Sequence, residues 1–555
     1  MDWSLFVLNQ KNRACKLNWA SFCVCLMVCL VPAGPANATL TSSTVFSFDL
    51  TTNSGGVVES NGFLFGALTN TSLSYGGAIY KVSVNGGLPE TIYQLKSTDG
   101  YSPVAGLLVG SDGYLYGSTV YGARRTVFNL KDGVGTLFRV KQDGTGFETL
   151  HRFATNTLTT SNNLISNLDG MYPSFPLIED RNQPNIFYGV TTYGGAYGTG
   201  VIFSITSDGR FTRLFEFQDL VKDTEAANNN GNAWKNDYGA FPSGPLVFVK
   251  DGCGDKGCLY GVTSAGGSKL YKTTNNSVSP AVVTYKGAGT VFKLDLSKGI
   301  VSVVQQFDSL SKTIGLNGQF TFSSENNGIN LGTSPSNGLI ELKDHPGVLV
   351  GTTSEGGVPS ECHTDTNTNN RVCIPVTEAT NNATDENAGL GVVYKLDTSQ
   401  NNQFEVLHSF DSSVGNNAML GRVTDIGGKL YGVFLSSSRI YGAVFSINIT
   451  DGNKYEIILE NDNNLSYPNS GLLLSTSNAS NFYGTTSAYG GSCGYGNVYR
   501  VSLDGVAAPP GSNYSNCYIP AASSSGGGSM DKTSLWVLLG LAALVSVRRR
   551  VFSFN

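Results

Sequence analysis

Gly106–Thr119, GLLVGSDGYLYGST, sets Asp112-Gly113 between two short apolar runs. Asp-Gly in that setting is a strong hairpin signal, because the tight turn needs backbone angles that these two residues tolerate. The next stretch, Gly135–Phe153 (GTLFRVKQDGTGFETLHRF), holds two more runs around a turn at Asp143-Gly144. Two hairpins make four antiparallel strands. No long stretch of the chain shows the 3.6-residue period of a helix, so the fold class is all-β.

The same punctuation recurs along the chain. Seven times a short apolar strand ends in an aromatic-Gly or similar pair: Phe65-Gly66, Tyr116-Gly117, Tyr188-Gly189, Tyr260-Gly261, Val350-Gly351, Tyr431-Gly432 and Tyr483-Gly484. Seven times an aromatic marks a later strand: Tyr80, Phe138, Phe203, Phe292, Tyr394, Phe445 and Tyr499. Gly pairs stand between the markers at Gly194-Gly195, Gly266-Gly267, Gly356-Gly357 and Gly490-Gly491. A fixed unit repeated in this way reads as a repeat architecture.

The chain ends decide between an open array and a ring. The seventh unit supplies a third strand, GNVYRVSLDG (Gly496–Gly505), then runs into Ala507-Ala508-Pro509-Pro510 without a fourth. Thr44–Asp49, TVFSFD, matches the fourth strands FEVLHSFD (Phe404–Asp411) and VVQQFD (Val303–Asp308). An N-terminal strand that completes the last sheet removes both exposed edges. The expectation is a seven-bladed β-propeller of four-stranded antiparallel blades, with six or eight blades as the alternative.

Composition excludes other classes. Among 555 residues, 68 are Gly and 14% are charged, against roughly 25% charged in ordinary soluble domains. Lys plus Arg total 36 against 41 Asp plus Glu, a net charge of −5, which leaves no basic footprint for nucleic acid.

Both termini read as targeting segments. Lys11, Arg13 and Lys16 precede an apolar run, Trp19–Val31, and Ala36-Asn37-Ala38 is a small-x-small cleavage site, so residues 1–38 read as a signal peptide removed by signal peptidase. Cys29 is a poor lipid-attachment site because Val28 precedes it. The expected propeller spans 39–506, followed by a Pro/Ser/Gly linker over 507–529. Residues 530–555 form an apolar segment, Leu535–Val547, ending in Arg548, Arg549 and Arg550. Cationic residues stay on the cytoplasmic side of a membrane, which leaves the rest of the chain outside. Six Cys lie beyond the signal peptide, an even count that suits an oxidising compartment. Their spacing fits local bridges, Cys253 with Cys258, Cys362 with Cys373 and Cys493 with Cys517, one choice among the 15 connectivities that six thiols allow.

Two resemblances follow from these residues. Gly526-Gly527-Gly528-Ser529, the apolar stretch and the three arginines resemble a GlyGly-CTERM sorting tail. That implies cleavage by a rhomboid-type intramembrane protease and display on, or release from, a Gram-negative cell; the alternative is a retained membrane anchor. YGVTTYGGAYGTGVIF (Tyr188–Phe203) and YGTTSAYGGSCGYGNVY (Tyr483–Tyr499) resemble the GloVer tandem repeat of choice-of-anchor surface proteins. This resemblance covers most of the mature chain and implies a surface-displayed repeat protein; it carries no activity or site. Gly122-Ala123-Arg124-Arg125 and Ser436-Ser437-Ser438 depart from the Gly-pair pattern.

Up-and-down strand order puts tight turns such as Asp112-Gly113, Asp208-Gly209 and Asp451-Gly452 on one face of the disc. The insertions Asn156–Gly170, Gln218–Tyr238, Ser309–Thr333 and Val358–Gly389 fall on the other. Long loops on a compact scaffold carry function. Trp234 and Tyr238 lie in one of them, as rigid aromatics suited to anchoring a sugar or protein, or to tucking the loop down. Asp365, Asn367 and Asn369 space oxygen ligands by two, as calcium loops do, but lack the Gly and closing Glu of an EF-hand; no other cofactor is implied. His151 and His408 sit in LHRF and LHSF, read here as one exposed outer-strand column with Glu216 and Gln306. Glu179, Asp180, Asp219, Asp223, Glu225 and Glu361 are the acids that could meet across the ring.

Two functions fit. One is an exported binding or adhesion module that holds an extracellular glycan or protein on the long-loop face, touching membrane only through its C-terminal segment. The alternative is a propeller hydrolase or lyase acting on polysaccharide with carboxylates at the central channel.

Overall fold

In the computed structural model the described residues are 41–505, apart from 49–50, 71–75, 97, 123–132, 155–157, 160–164, 223–232, 251–252, 269, 276–281, 308–310, 315–319, 324–331, 357–359, 365–370, 376–390, 411–418, 437–441, 461–466 and 487–495. They contain no helix and form seven four-stranded antiparallel sheets arranged as a seven-bladed propeller. Blade 1 runs outward through Thr51–Ser60, Phe63–Asn70, Ala78–Ser83 and Glu90–Gln94. Blade 2 uses Leu108–Val109, Tyr114–Thr119, Thr136–Lys141 and Glu148–Arg152, and blade 3 uses Ile178–Glu179, Ile186–Thr191, Val201–Thr206 and Phe211–Glu216. Blade 4 has a split inner strand, Ala240–Pro242 and Val247–Val249, then Cys258–Ala265, Thr290–Asp295 and Ile300–Gln306. Blade 5 is Thr333–Glu341, Val348–Glu355, Val392–Asp397 and Gln403–Ser409. In blade 6 the inner strand, Met419–Leu420 and Thr424–Ile426, is again split before Lys429–Ser436, Ala443–Asn448 and Lys454–Glu460.

Blade 7 closes the ring as the termini suggested. Leu473–Leu474, Asn481–Thr485 and Asn497–Ser502 are completed by Thr41–Ser47, which pairs antiparallel with Asn497–Ser502. A β-bulge marks the equivalence of all seven outer strands. The register between third and fourth strand slips at Ile79/Tyr80, Leu137/Phe138, Ile202/Phe203, Val291/Phe292, Val393/Tyr394 and Val444/Phe445. In blade 7 it slips beside Tyr499, between Thr44 and Phe46 of the N-terminal strand.

The repeated aromatic-Gly pair has a steric cause. Each such Gly lies directly opposite the third-strand aromatic of its own blade, as Gly117 opposite Phe138 and Gly189 opposite Phe203. The ring lies flat over the place a side chain would occupy: a Cβ on Gly117 would sit 2.5 Å from Phe138 Cζ, and one on Gly189 2.5 Å from Phe203 Cζ. Gly in a strand is otherwise unfavourable, and the cross-strand ring covers the backbone it exposes.

Apolar side chains gather between blades. Seven buried clusters each join two neighbours, from Phe65 and Ile79 with Leu115 and Phe138 at blades 1 and 2 round to Phe46 and Tyr483 with Leu64 and Tyr80 at blades 7 and 1. The outer strands add stacked rings across the same seams: Tyr93 on Phe147 at 4.2 Å, His151 on Phe211 at 3.9 Å and His408 on Tyr455 at 4.0 Å. This corrects the outer-strand reading of the two histidines. His151 and His408 pair with Leu137 and Val393, where the other blades place Tyr93, Phe215, Gln305 and Leu459, so Glu216 and Gln306 belong one residue further on. The column is an inter-blade stacking position, in which imidazole serves as a flat ring.

The insertions are also more ordered than loops. Val221–Lys222, Ala233–Lys235, Val282–Gly287, Leu270–Asn275, Ser311–Ile314 and Phe320–Ser323 join into one six-stranded sheet drawn from three separate connections around blade 4. Leu158–Thr159 pairs with Ile165–Ser166, and Ser360–Thr364 pairs with Arg371–Pro375. Cys253 and Cys258 form a disulfide in the blade 4 hairpin, Cα atoms 5.4 Å apart. Cys362 and Cys373 stand directly opposite each other in their hairpin. Cys493 and Cys517 lie outside the described residues.

Candidate functional site

The acids of the tight-turn face are engaged in holding the ring together. Glu179 of blade 3 accepts from the Ser111 amide and hydroxyl of blade 2, at 2.9 and 2.6 Å. Asp180 is buried, accepting the Tyr188 hydroxyl at 2.7 Å and the backbone amides of Asn182 and Gln183. Asp425 of blade 6 accepts from the Lys343 amide of blade 5. Glu59 of blade 1 accepts from the amides of Thr476 and Ser477, at 2.9 and 3.1 Å, across the closing seam with blade 7. Burial alone would raise the Glu59 pKa, but the Ser477 and Ser475 hydroxyls and these amides outweigh it and hold the carboxyl below its ordinary value.

That balance sets a pH dependence. A carboxylate whose folded pKa is depressed adds stability above its unfolded pKa, and the contribution is lost as pH falls through the folded value. Glu59→Gln is therefore expected to lower the urea midpoint near neutrality, with the gap to the parent protein closing below about pH 4.5. A gap that stays constant down to low pH would show that the Glu59 charge does not hold the seam.

The long-loop face is built around asparagine clamps. Asn167 Oδ1 accepts from the amides of Gly170 and Gly195, while its Nδ2 donates to the carbonyls of Ala154 and Gly170. Asn236 repeats the arrangement in blade 4 with Gly239, Gly267 and the Gln218 carbonyl. This accounts for the Gly pairs: Gly194 and Gly195 both have φ near +80° (+79 and +77), which lets the loop cross over the turn that leads into the inner strand. Asn167→Ala should leave the Gly195 amide unpaired, a cost of about 1–3 kcal/mol. Hydrogen exchange at Gly195 should accelerate while Gly267, held by Asn236, is unchanged.

These clamped turns carry a run of aromatic side chains. In five blades a Pro turn stands before or at the start of the inner strand: Ser102-Pro103, Tyr172-Pro173, Phe241-Pro242, Ser334-Pro335 and Tyr467-Pro468. The residue before Pro has φ between +52° and +61° in all five, a left-handed conformation uncommon for bulky residues. Between the second and third strands, Tyr121 and Tyr193 occupy the same place in blades 2 and 3, and each meets the neighbouring Pro turn through paired backbone bonds, Tyr101 with Tyr121 and Met171 with Tyr193. The rings form an arc across blades 2, 3 and 4. Tyr101 lies 6.3 Å from Tyr121, Tyr121 5.9 Å from Tyr172, Tyr172 6.0 Å from Tyr193 and Tyr193 5.4 Å from Phe241. Tyr193 is 42% exposed and its loop neighbour Tyr197 43%, while the other four rings are half-buried. Burial first, then the Tyr121 and Tyr193 phenols, push the Tyr172 hydroxyl pKa upward.

No charged residue occurs in the segments that carry the arc, 100–110, 118–122, 170–178, 190–206 and 239–249. Nearer the axis, equivalent positions of the inner strands are Gly56, Gly106, Pro176, Pro245, Gly338 and Gly471, with Arg422 as the one charged member. Arg422 Nη2 donates to the Leu339 carbonyl of blade 5 at 2.8 Å, and burial pushes its guanidinium pKa down to about 10.

The residues singled out in the sequence are dispersed. Trp234 lies in the six-stranded insertion sheet, opposite Lys222 and Lys286. Tyr238 is half-buried with its ring 5.4 Å from Phe215, and its carbonyl accepts the Thr290 hydroxyl. Glu361 is in the Ser360–Thr364 strand; Asp223, Glu225, Asp365, Asn367, Asn369, Gly526–Gly528 and Arg548–Arg550 lie outside the described residues. His151 Nε2 is 2.9 Å from Asp169 Oδ2, and Asp169 also accepts the Ala154 amide, so this pair ties a blade-to-blade connection to its outer strand. Among the described residues no group of three or more His, Cys, Asp or Glu could hold a metal ion, and no helix is long and apolar enough to cross a membrane. The arc itself was not anticipated; the signal for it is the recurring Gly-x-x-Pro at the inner strands of blades 2 to 5, with Tyr or Phe before the Pro in blades 3 and 4.

Residues 30–241 match the Gloeobacter/Verrucomicrobia repeat. Over these residues the chain is similar to GloVer repeats. All five rings of the arc fall inside the matched residues or at their last position. No curated protein matches the chain in sequence. Solved structures resemble it in fold alone. The GH74 xyloglucanase from Xanthomonas campestris is 12% identical at a TM-score of 0.45, covering 85% of this chain and 55% of that one. An oligogalacturonate lyase in complex with manganese is 9% identical at 0.44, covering 84% and 96%. The periplasmic gluconolactonase of Pseudomonas aeruginosa is 10% identical at 0.40, covering 83% and 99%.

Proposed function

We propose that this protein is an exported, surface-displayed binding module whose long-loop face holds an extracellular glycan. The observation that carries the reading is the arc from Tyr101 to Phe241. Aromatic rings fixed on rigid turns bury large contact area at small entropic cost, and their hydroxyls add hydrogen bonds at the edge. Export rests on the N-terminal apolar segment with its Ala36-Asn37-Ala38 site, and display on the Gly-rich linker, apolar segment and arginine cluster at the C-terminus. The absence of charged residues from the segments that carry the arc fits a ligand recognised by stacking and hydroxyl contacts rather than by ion pairing.

The test is affinity electrophoresis of the full chain, in mild detergent, through gels containing neutral or acidic polysaccharides, with a reducing-end assay on each mixture. Retardation by a polysaccharide without new reducing ends supports binding. Retardation by none of them sinks the glycan reading, and release of reducing or unsaturated ends makes the protein a hydrolase or lyase instead.

A further inference from the structure

We infer that the arc is one continuous strip for a linear, uncharged polysaccharide, laid along the circumference of the disc across blades 2 to 4, with each seam between blades supplying one pair of rings as a subsite. This rests on the glycan reading above and adds ligand class, direction and extent to it.

Repetition is the first argument. Tyr121 and Tyr193 occupy equivalent positions of successive blades, and so do Tyr172 and Phe241, so the pairs Tyr121–Tyr172 and Tyr193–Phe241 recur one blade apart, with rings 5.9 and 5.4 Å apart and turned by 77° and 53°. Tyr101 prolongs the strip by a further ring beside Tyr121. A site repeated at a fixed step suits a ligand that also repeats, because each added unit meets the same surface. Neighbouring rings are turned to each other by 51° to 86°, most steeply on either side of Tyr172. Equivalent rings recur once per blade, which makes the pair, rather than the single ring, the repeating element.

Charge is the second argument. The segments that carry the strip contain hydroxyl, aromatic, small and aliphatic residues and not one Asp, Glu, Lys or Arg. Arg152, which donates to the Gly122 carbonyl beside Tyr121, is a cation at that end of the strip; along the segments from Tyr172 to Phe241 a uronate or sulfated chain would lose water from its anions without gaining a cation in return, so the fitted ligand is neutral. Rigidity is the third. The strip is held by backbone bonds between its own turns, Thr192 to Tyr172 at 3.3 Å and Val120 to Ser102 at 3.1 Å among them, and by the Asn167 clamp below Gly195. A preformed strip spends little of the contact energy on ordering itself.

The experiment measures binding of gluco-, xylo-, manno- and malto-oligosaccharides, each from disaccharide to octasaccharide, to the full chain by calorimetry. At least one neutral series should tighten by about tenfold or more between the disaccharide and the hexasaccharide and then level off, as added units run beyond Phe241 or Tyr101. Tyr193→Ala, at the exposed centre, should weaken the hexasaccharide by about tenfold with little effect on the disaccharide. Tyr193→Phe should keep most of the affinity, and Tyr101→Ala should move the plateau to a shorter chain. Affinity independent of length, an unaffected Tyr193→Ala protein, or preference for acidic oligosaccharides would each overturn the strip while leaving glycan binding in place. Retention by a neutral polysaccharide with no binding of any hexasaccharide would do the same.

Discussion

A chain that begins at residue 51, and so lacks strand Thr41–Ser47, should accumulate as insoluble or molten protein instead of a ring. The strand pairs along the whole of Asn497–Ser502 and places Val45, Phe46 and Phe48 in the core, at 3%, 2% and 0% exposure. Losing a buried Phe costs about 3–5 kcal/mol, and two of them together approach the whole net stability of an ordinary domain, about 5–15 kcal/mol. The loss also bares the edge of Asn497–Ser502, an invitation to intermolecular pairing. Size exclusion and thermal melting of the two proteins make the comparison, and a peptide of residues 39–50 added during refolding should restore the melt by donating the strand. A truncated protein that stays monomeric and melts within a few degrees of the parent would show that the ring closes without this strand.

The second large effect is expected at the aromatic-Gly pairs. In Gly189→Ala the new methyl would stand 2.5 Å from Phe203 Cζ and 2.7 Å from Leu177 Cδ2. Phe203 is fully buried and Leu177 nearly so, so neither side chain can swing aside into solvent. Overpacking of this kind costs about 1–3 kcal/mol, a fall of several degrees in Tm. Gly56→Ala is the control: its methyl would rest 3.4 Å from Ser470 Cβ, an ordinary contact, and its Tm should barely move. Adding Phe203→Leu to Gly189→Ala should recover part of the loss, because the two changes share one space. If the two Gly→Ala proteins melt alike, the steric reading of the repeat fails.

Blade count and ring closure were legible because both are written in periodic signals. Asp-Gly turns, aromatic-Gly pairs and the stray fourth strand at Thr44–Asp49 are local features whose spacing survives without any knowledge of contacts. The column of His151 and His408 was misread by one residue, as Arg152 and Ser409, not the histidines, align with Glu216 and Gln306. The six-stranded insertion sheet was invisible for a different reason: its strands come from three connections, and pairings such as Ala233 with Tyr285 leave no periodic trace. The arc depended on backbone angle. Tyr172 and Phe241 look like ordinary turn residues beside Pro, and only their left-handed φ, +59° and +60°, brings them into line with Tyr121 and Tyr193.

The bulge shared by seven outer strands makes Thr41–Ser47 an ordinary member of the ring, yet in synthesis it is the earliest strand to emerge and its partner Asn497–Ser502 nearly the latest. The last blade cannot be completed until almost the entire propeller has been made. Until then the first strand has no place to pair, so an incomplete chain stays open and threadable. Completion of the disc thus waits for the last of its strands, about 450 residues after the first.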